Sequence, residues 1–175
     1  MAFFKEELNN VKAFIFDIDG VLSKHAMEIS EDGELKRTSC AKDGYALMYS
    51  CKKGYPVGII SGGGGPGIRE RLEKLGVKDI HLRVSNKLEA LAEFLKKHNL
   101  EAKDVMYMGD DIPDYELMKV IGLPVCPKDA VHEIKNISAY ISDTKGGDGC
   151  VRDVIEQVLK AQGKWMDTKC HVRSM

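Results

Sequence analysis

The 175-residue sequence predicts an α/β fold: a parallel β-sheet with helices on both faces, and a β-hairpin inserted after the first strand. Short apolar runs rich in β-branched and aromatic residues alternate with segments of helical spacing, the pattern of βαβ units. The runs are apolar throughout, as strands buried on both faces must be. One Asp-Gly pair between strand-like flanks interrupts the alternation and marks the hairpin.

Residues 11–17 (VKAFIFD) give the strongest strand signal. Residues 26–38 (AMEISEDGELKRT) follow, with Asp32-Gly33 set for a tight turn, so the hairpin spans about 26–39 and projects over the end of the first strand. Residues 44–53 read as a helix through Ala46, Leu47 and Cys51, and residues 57–61 (VGIIS) as the next strand. Residues 66–75 open with Pro66, suited to a first helical turn, and repeat Ile68, Leu72 and Leu75 on one face. Residues 87–98 place Leu88, Leu91, Ala92 and Leu95 together, with Ser85 as the expected N-cap. Strands over 105–109, 123–126 and 139–142 and helices over 113–120 and 151–161 complete the set. Residues 1–164 read as one core domain and 165–175 as an irregular C-terminal tail.

Composition bounds the function classes. Hydrophobic residues make up 43% and charged residues 30%, with a formal net charge of −1. No basic face is available to neutralise a nucleic-acid backbone. Five cysteines, an odd number without a C-x-x-C pair, fit a reduced cytoplasmic setting better than a disulfide scaffold. The start, MAFFKEELNNVK, lacks the apolar run of a signal peptide, and no stretch has the roughly 20 apolar residues of a membrane span.

Ligands of such sheets gather at the carboxyl ends of the strands. Asp17 and Asp19 stand there, spaced so that both can face one ligand. One carboxylate can attack phosphorus and form an acyl phosphate, while its neighbour protonates the leaving oxygen and later deprotonates water. A solvated turn is the commoner explanation of a bare D-x-D, but FDIDGVL after a strand is a much rarer pattern. Asp110, Asp111 and Asp114 crowd another strand end and repel one another unless a cation sits among them. Magnesium suits few carboxylate ligands, with Asp17 and Asp110 expected to bind and Asp111 and Asp114 either to bind or to orient. A capped helix start is the alternative. Ser61 precedes four glycines at 62–65, where a hydroxyl and free N–H groups make a phosphate cradle, although a plain loop has the same look. Lys87 opens a helix and could neutralise a phosphoryl group, or lie in solvent.

Acid pair, hydroxyl, lysine and acid cluster occur in that order, each at a strand end or helix start. In this the chain resembles the haloacid dehalogenase superfamily of phosphotransferases, whose four loops are matched by Asp17/Asp19, Ser61, Lys87 and Asp110/Asp114. The resemblance implies a Rossmann-like core, a Mg2+ ion and an aspartyl-phosphate intermediate. It also implies a metal set of Asp17, Asp110 and the backbone carbonyl of Asp19, with Ser61, Gly62 and Lys87 on the phosphate. About forty residues separate Asp19 from Ser61, and fewer than thirty separate Ser61 from Lys87, so the cap is minimal.

Residues 11 to about 164 are similar to the 3-deoxy-D-manno-octulosonate 8-phosphate phosphatase family, through FDIDGVLS, KDGYAL, GDDIPD and GGDGCVRDVIEQVLKAQGKW. That resemblance implies hydrolysis of a small phosphorylated sugar acid in lipopolysaccharide precursor synthesis. It further implies a homotetramer whose hairpins and tails cover neighbouring sites, with Lys42, Asp43 and the 146–149 segment near the substrate. Three departures bear on substrate identity: Ser23-Lys24-His25 where threonine-aspartate-glycine is common, Gly63 where a charged residue often stands, and Asp148 where arginine is frequent. They keep a nine-carbon keto acid phosphate and a broad range of sugar phosphates open as substrates. A non-catalytic assembly module is the alternative of a different class, against which Asp17, Asp19, Lys87 and Asp110 are all retained. The five histidines read as surface or loop residues, Cys170-His171 as part of the tail, and Trp165 as a packing residue.

Overall fold

The computed structural model describes residues 4–167. Six strands form one parallel sheet: β1 (Ala13–Phe16), β4 (Val57–Ser61), β5 (Asp79–Leu82), β6 (Val105–Met108), β7 (Leu123–Cys126) and β8 (Tyr140–Ile141), in the spatial order β5-β4-β1-β6-β7-β8. Between β1 and β4 the strands β2 (Glu28–Ile29) and β3 (Leu35–Lys36) pair antiparallel as the inserted hairpin. The helices are α1 (Phe4–Glu7), α2 (Ala41–Lys52), α3 (Pro66–Lys74), α4 (Lys87–His98), α5 (Tyr115–Val120), α6 (His132–Ile137) and α7 (Cys150–Ala161).

Successive strand residues point to opposite faces, so β1 divides its side chains between two cores. Phe14 and Phe16 join Ile59, Met106 and Met108 beneath α2 and α7, where Leu47, Val154, Ile155 and Val158 close the layer. Ala13 and Ile15 join Ile60 and Tyr107 on the other face, under Leu91 and Phe94 of α4 and Met118 of α5. Every β1 side chain is buried, which is why this strand reads as an unbroken apolar run.

Register decides where the chemistry emerges. Phe16 lies opposite both Ile59 and Met108, so Asp17, Ser61 and Gly109 leave the sheet at nearly one level. The strands added after β1 go first to one side and then to the other, which opens a crevice at the carboxyl ends beside β1.

Four details differ from the sequence reading. β5 has no apolar run because it is an edge strand whose residues beyond Asp79 are only partly covered. The six-residue α6 is too short to show helical periodicity. Asp32-Gly33 lies in a five-residue return, residues 30–34, in which Ser30 N–H donates to Glu34 O and Gly33 N–H to Ser30 O; the paired strands are only two residues long. Helix α4 is capped by Asn86 rather than Ser85: the Asn86 side chain accepts from Leu88 N–H at 3.0 Å. Trp165 packs against the Tyr49 ring at 5.0 Å and under the Arg152 guanidinium at 4.5 Å, whereas Cys170 and His171 lie outside the described residues. Among the described residues, no helix is long and apolar enough to cross a membrane.

Candidate active site

Asp17 follows β1 directly, its N–H donating to Met108 O at 3.1 Å, so its carboxylate stands at the crevice. The chain then turns tightly through residues 18–23, with Val21 N–H and Ser23 N–H both donating to Ile18 O. Gly20 permits this turn: its φ is +86°, and a Cβ there would lie 2.1 Å from Asp110 Oδ2. The segment 146–149 buttresses the turn from behind. Gly147 N–H donates to Val21 O at 2.8 Å, and a Cβ on Gly146 would fall 1.8 Å from Gly20 O.

Lys87, the first residue of α4, reaches two acids, with Nζ 2.7 Å from Asp17 Oδ2 and 2.6 Å from Asp114 Oδ1. Asp114 is fixed on every side. Its Oδ1 also accepts from Tyr107 Oη–H, and its Oδ2 accepts from Asp110 N–H at 3.0 Å and Asp111 N–H at 3.4 Å. Asp111 itself caps the short turn before α5, its side chain accepting from Ile112 N–H. Ser61 is buried at the end of β4, and its Oγ accepts from Gly63 N–H at 3.3 Å. Asp17, Asp19, Ser61, Gly62, Gly63, Lys87, Asp110, Asp111 and Asp114 thus line one cleft.

The electrostatics of this cleft favour a divalent cation. Asp17, Asp110 and Asp114 each offer an oxygen within 4.8 Å of the others, and all three are buried. When all three are ionised, three carboxylates against one ammonium leave two negative charges, which a divalent ion would neutralise. Burial, reinforced by Asp114, Asp17 and Asp111, pushes the Asp110 carboxyl up to about 8. Burial and then Asp114 also raise Asp17, against the pull of Lys87. Burial works against the Lys87 charge, but Asp17 and Asp114 outweigh it and hold the ammonium above its usual range. The donor set is all oxygen, the preference of hard cations. Because Asp114 is fully engaged by Lys87, Tyr107 and two backbone groups, Asp17 and Asp110 are the side chains with lone pairs to spare.

Two cleft residues were not legible as such. His25, read as a surface residue, places Nδ1 3.4 Å from Asp110 Oδ2 and Nε2 3.6 Å from Asp129 Oδ2. Arg37, directly after β3 on the returning arm of the hairpin, grips Asp19 with Nε 2.6 Å from Oδ1 and Nη2 2.9 Å from Oδ2. No sequence motif announces either residue; His25 comes in with the loop that leads into the hairpin, and Arg37 with the hairpin's returning arm. Conversely, Lys42 and Asp43 do not line the cleft. Lys42 lies beside Thr144, Asp148 and Arg152, and Asp43 is buried at the start of α7, where Oδ1 accepts from Arg152 N–H at 2.7 Å.

Comparison with known proteins agrees with this geometry. Residues 74–154 match the haloacid dehalogenase-like hydrolase family model. The chain is 32% identical over 160 residues to 3-deoxy-D-manno-octulosonate 8-phosphate phosphatase KdsC of Salmonella typhi, covering 91% of this chain and 85% of that one. The crystal structure of 3-deoxy-D-manno-octulosonate 8-phosphate phosphatase from Yersinia pestis superposes with a TM-score of 0.89 at 30% identity, covering 93% of this chain and 88% of that one. The Moraxella catarrhalis phosphatase, solved with magnesium, phosphate and KDO, gives a TM-score of 0.87 at 29% identity, with 91% and 92% covered. The chain belongs to the 3-deoxy-D-manno-octulosonate 8-phosphate phosphatase family of haloacid dehalogenase-like hydrolases, and is a hydrolase with a site for a divalent metal.

Proposed function

We propose that this enzyme hydrolyses 3-deoxy-D-manno-octulosonate 8-phosphate to the free sugar acid and phosphate, with Asp17 as the nucleophile. The observation that carries the reading is the place of Asp17: it heads the cleft between Lys87 and the uncompensated Asp110, with Asp19 two residues on. The substrate follows from the family relationship, because the similar enzymes bear that activity in their names.

Magnesium fits the site, with Asp17, Asp110 and the backbone carbonyl of Asp19 to hold it and Asp111 and Asp114 to orient those groups. When bound, it supplies positive charge against the oxygens of the transferring phosphoryl group. Asp17 attacks phosphorus, and the bond to the sugar oxygen breaks. Asp19 gives its proton to that departing oxygen. Ser61 Oγ, Gly62 N–H and Lys87 Nζ hold the phosphoryl oxygens, and burial of Lys87 strengthens its share. In the second half Asp19 takes a proton from water, the water oxygen joins phosphorus, and the acyl phosphate bond to Asp17 breaks. Phosphate leaves and the Asp17 carboxylate is restored.

The exposed Ile29 and Leu35 of the hairpin, 74% and 42% accessible, support its packing on a neighbour in a homotetramer, a point sedimentation velocity tests. The substrate test is phosphate release with Mg2+ from the eight-carbon and nine-carbon keto acid phosphates and common hexose phosphates. A kcat/KM highest for the eight-carbon compound is expected. Equal rates across the panel would replace the reading with a generalist phosphatase, and no release with metal bound would replace it with an assembly module.

A further inference from the structure

The grip of Arg37 on Asp19 is the most specific side-chain contact in the cleft that the four catalytic loops do not explain. Two parallel N–H···O bonds, at 2.6 and 2.9 Å, hold both carboxylate oxygens, and the Arg37 side chain is only 11% exposed. Such a fork-to-fork pair fixes the plane of the carboxylate as well as its place. Ser23 adds a third hold, with Oγ 3.3 Å from Asp19 Oδ1. The pair lies directly over Gly63, where a Cβ would come within 2.5 Å of Asp19 Oδ2 and 2.9 Å of Arg37 Nη2. Arg37 directly follows β3, and Thr38 Oγ1 accepts from Lys24 N–H at 3.0 Å, so the returning arm of the hairpin is tied to the loop that carries Asp19.

Each carboxylate oxygen has two lone pairs: Oδ1 uses both on Arg37 and Ser23, and Oδ2 keeps one free while paired with Arg37. The grip sets where that remaining lone pair sits, and the second half-reaction needs it in place, when Asp19 takes a proton from the water attacking the aspartyl phosphate.

We propose that Arg37 is the positioning residue for Asp19, holding its carboxylate from the hairpin for hydrolysis of the phosphoenzyme. This rests on the nucleophile and base roles given to Asp17 and Asp19 above. In the step concerned, a water O–H bond breaks and its proton goes to Asp19. The water oxygen bonds to phosphorus, and the bond from phosphorus to the Asp17 oxygen breaks. Arg37 touches none of the reacting atoms. Its removal therefore slows the loss of phosphate from Asp17 and leaves the arrival of phosphate nearly untouched where the leaving group needs no proton.

The test uses full-length enzyme with Mg2+ and p-nitrophenyl phosphate, whose leaving group departs without protonation. Arg37→Ala is expected to lower kcat roughly 10- to 100-fold, the scale of a misplaced acid–base group. kcat/KM should stay near wild type, and a pre-steady-state burst of nitrophenolate should approach one per site. Guanidinium ion at millimolar concentration should restore kcat in Arg37→Ala where ammonium does not, and Arg37→Lys should retain part of it. Gly63→Ala, which crowds the same pair, should show the same burst. A parallel fall in kcat and kcat/KM without a burst, or an unchanged kcat, overturns the proposal. If Arg37→Ala fails to fold by circular dichroism, the burst in Arg37→Lys decides. For a wild type inert to p-nitrophenyl phosphate, another aryl phosphate whose leaving group also departs without protonation gives the same readout. Turnover of p-nitrophenyl phosphate but not of the sugar acid phosphate overturns the substrate reading alone, and inactivity on both overturns both.

Discussion

Replacing Asp43 by asparagine should make the enzyme's stability less sensitive to pH between about pH 4 and pH 6. Asp43 is 1% exposed between α2 and the start of α7, and its Oδ2 has no hydrogen-bond partner among the described residues. Burial pushes the carboxyl up from 3.8 to about 6, although the backbone N–H of Arg152 partly opposes the shift. The folded state therefore holds this proton more tightly than the unfolded chain. The stabilisation is complete below about pH 3.8 and is lost as pH rises through about 6. A gap of about two pK units corresponds to about 3 kcal/mol. Asparagine keeps an acceptor for Arg152 N–H but cannot ionise, so any packing penalty it adds is constant with pH. The assay is urea unfolding of both proteins at intervals from pH 4 to pH 8. Relative to wild type, Asp43→Asn should gain about 3 kcal/mol over that range, equivalent to roughly 6–12 °C in melting temperature for a chain of this size. A stability difference flat with pH would refute the assigned burial of an ionised carboxylate, since every other titrating group is shared.

Asp17→Asn should fold and lose at least about three decades of kcat, while calorimetry still detects weakened Mg2+ binding. Saturating Mg2+, at about 100 times its Kd, should raise stability by about 2.7 kcal/mol in wild type and much less in Asp110→Asn, as read by thermal melting with and without chelator. Lys87→Met strands Asp17 and Asp114 as an unpaired buried pair and should cost about 3–5 kcal/mol in unfolding experiments without metal. Gly146→Ala drives a methyl into Gly20 O and should cost about 1–3 kcal/mol or more and lower kcat, because the displaced carbonyl belongs to the turn between Asp17 and Asp110.

How much was legible depended on whether the signal was local. β1, β4 and β6 are buried on both faces, so their sequences carry a composition that needs no knowledge of neighbours. The carboxylates and lysine lie beside those strands or at a helix start, and the place of each follows from its element alone. Edge strand β5 and the six-residue α6 lack either burial or length, and both went unseen. Arg37 and His25 were missed for a different reason. Their roles exist only once the hairpin folds back over Asp19 and Asp110, across 18 residues in the case of Arg37. Asp43 stands in a motif, KDGYAL, whose letters do not show that its Oδ1 accepts from Arg152 N–H at the start of α7.

The distribution of cations among the acids explains why Asp110 is the natural seat of a metal. Lys87 serves Asp17 and Asp114, and Arg37 serves Asp19. Among the described residues Asp110 is paired with neither, and faces the half-exposed His25 ring at 3.4 Å. Burial and the neighbouring acids push its carboxyl up to about 8. A divalent ion beside Asp110 reverses that cost, because the charge that burial and Asp114 make unfavourable becomes a ligand. Metal binding should therefore expel a proton near neutral pH, and its apparent affinity should rise with pH up to about 8 and then level off. Calorimetry of Mg2+ binding in two buffers of different ionisation enthalpy measures that proton directly. Identical heats in both buffers at pH 7 would mean that Asp110 is already ionised without metal, and that another group neutralises the cluster.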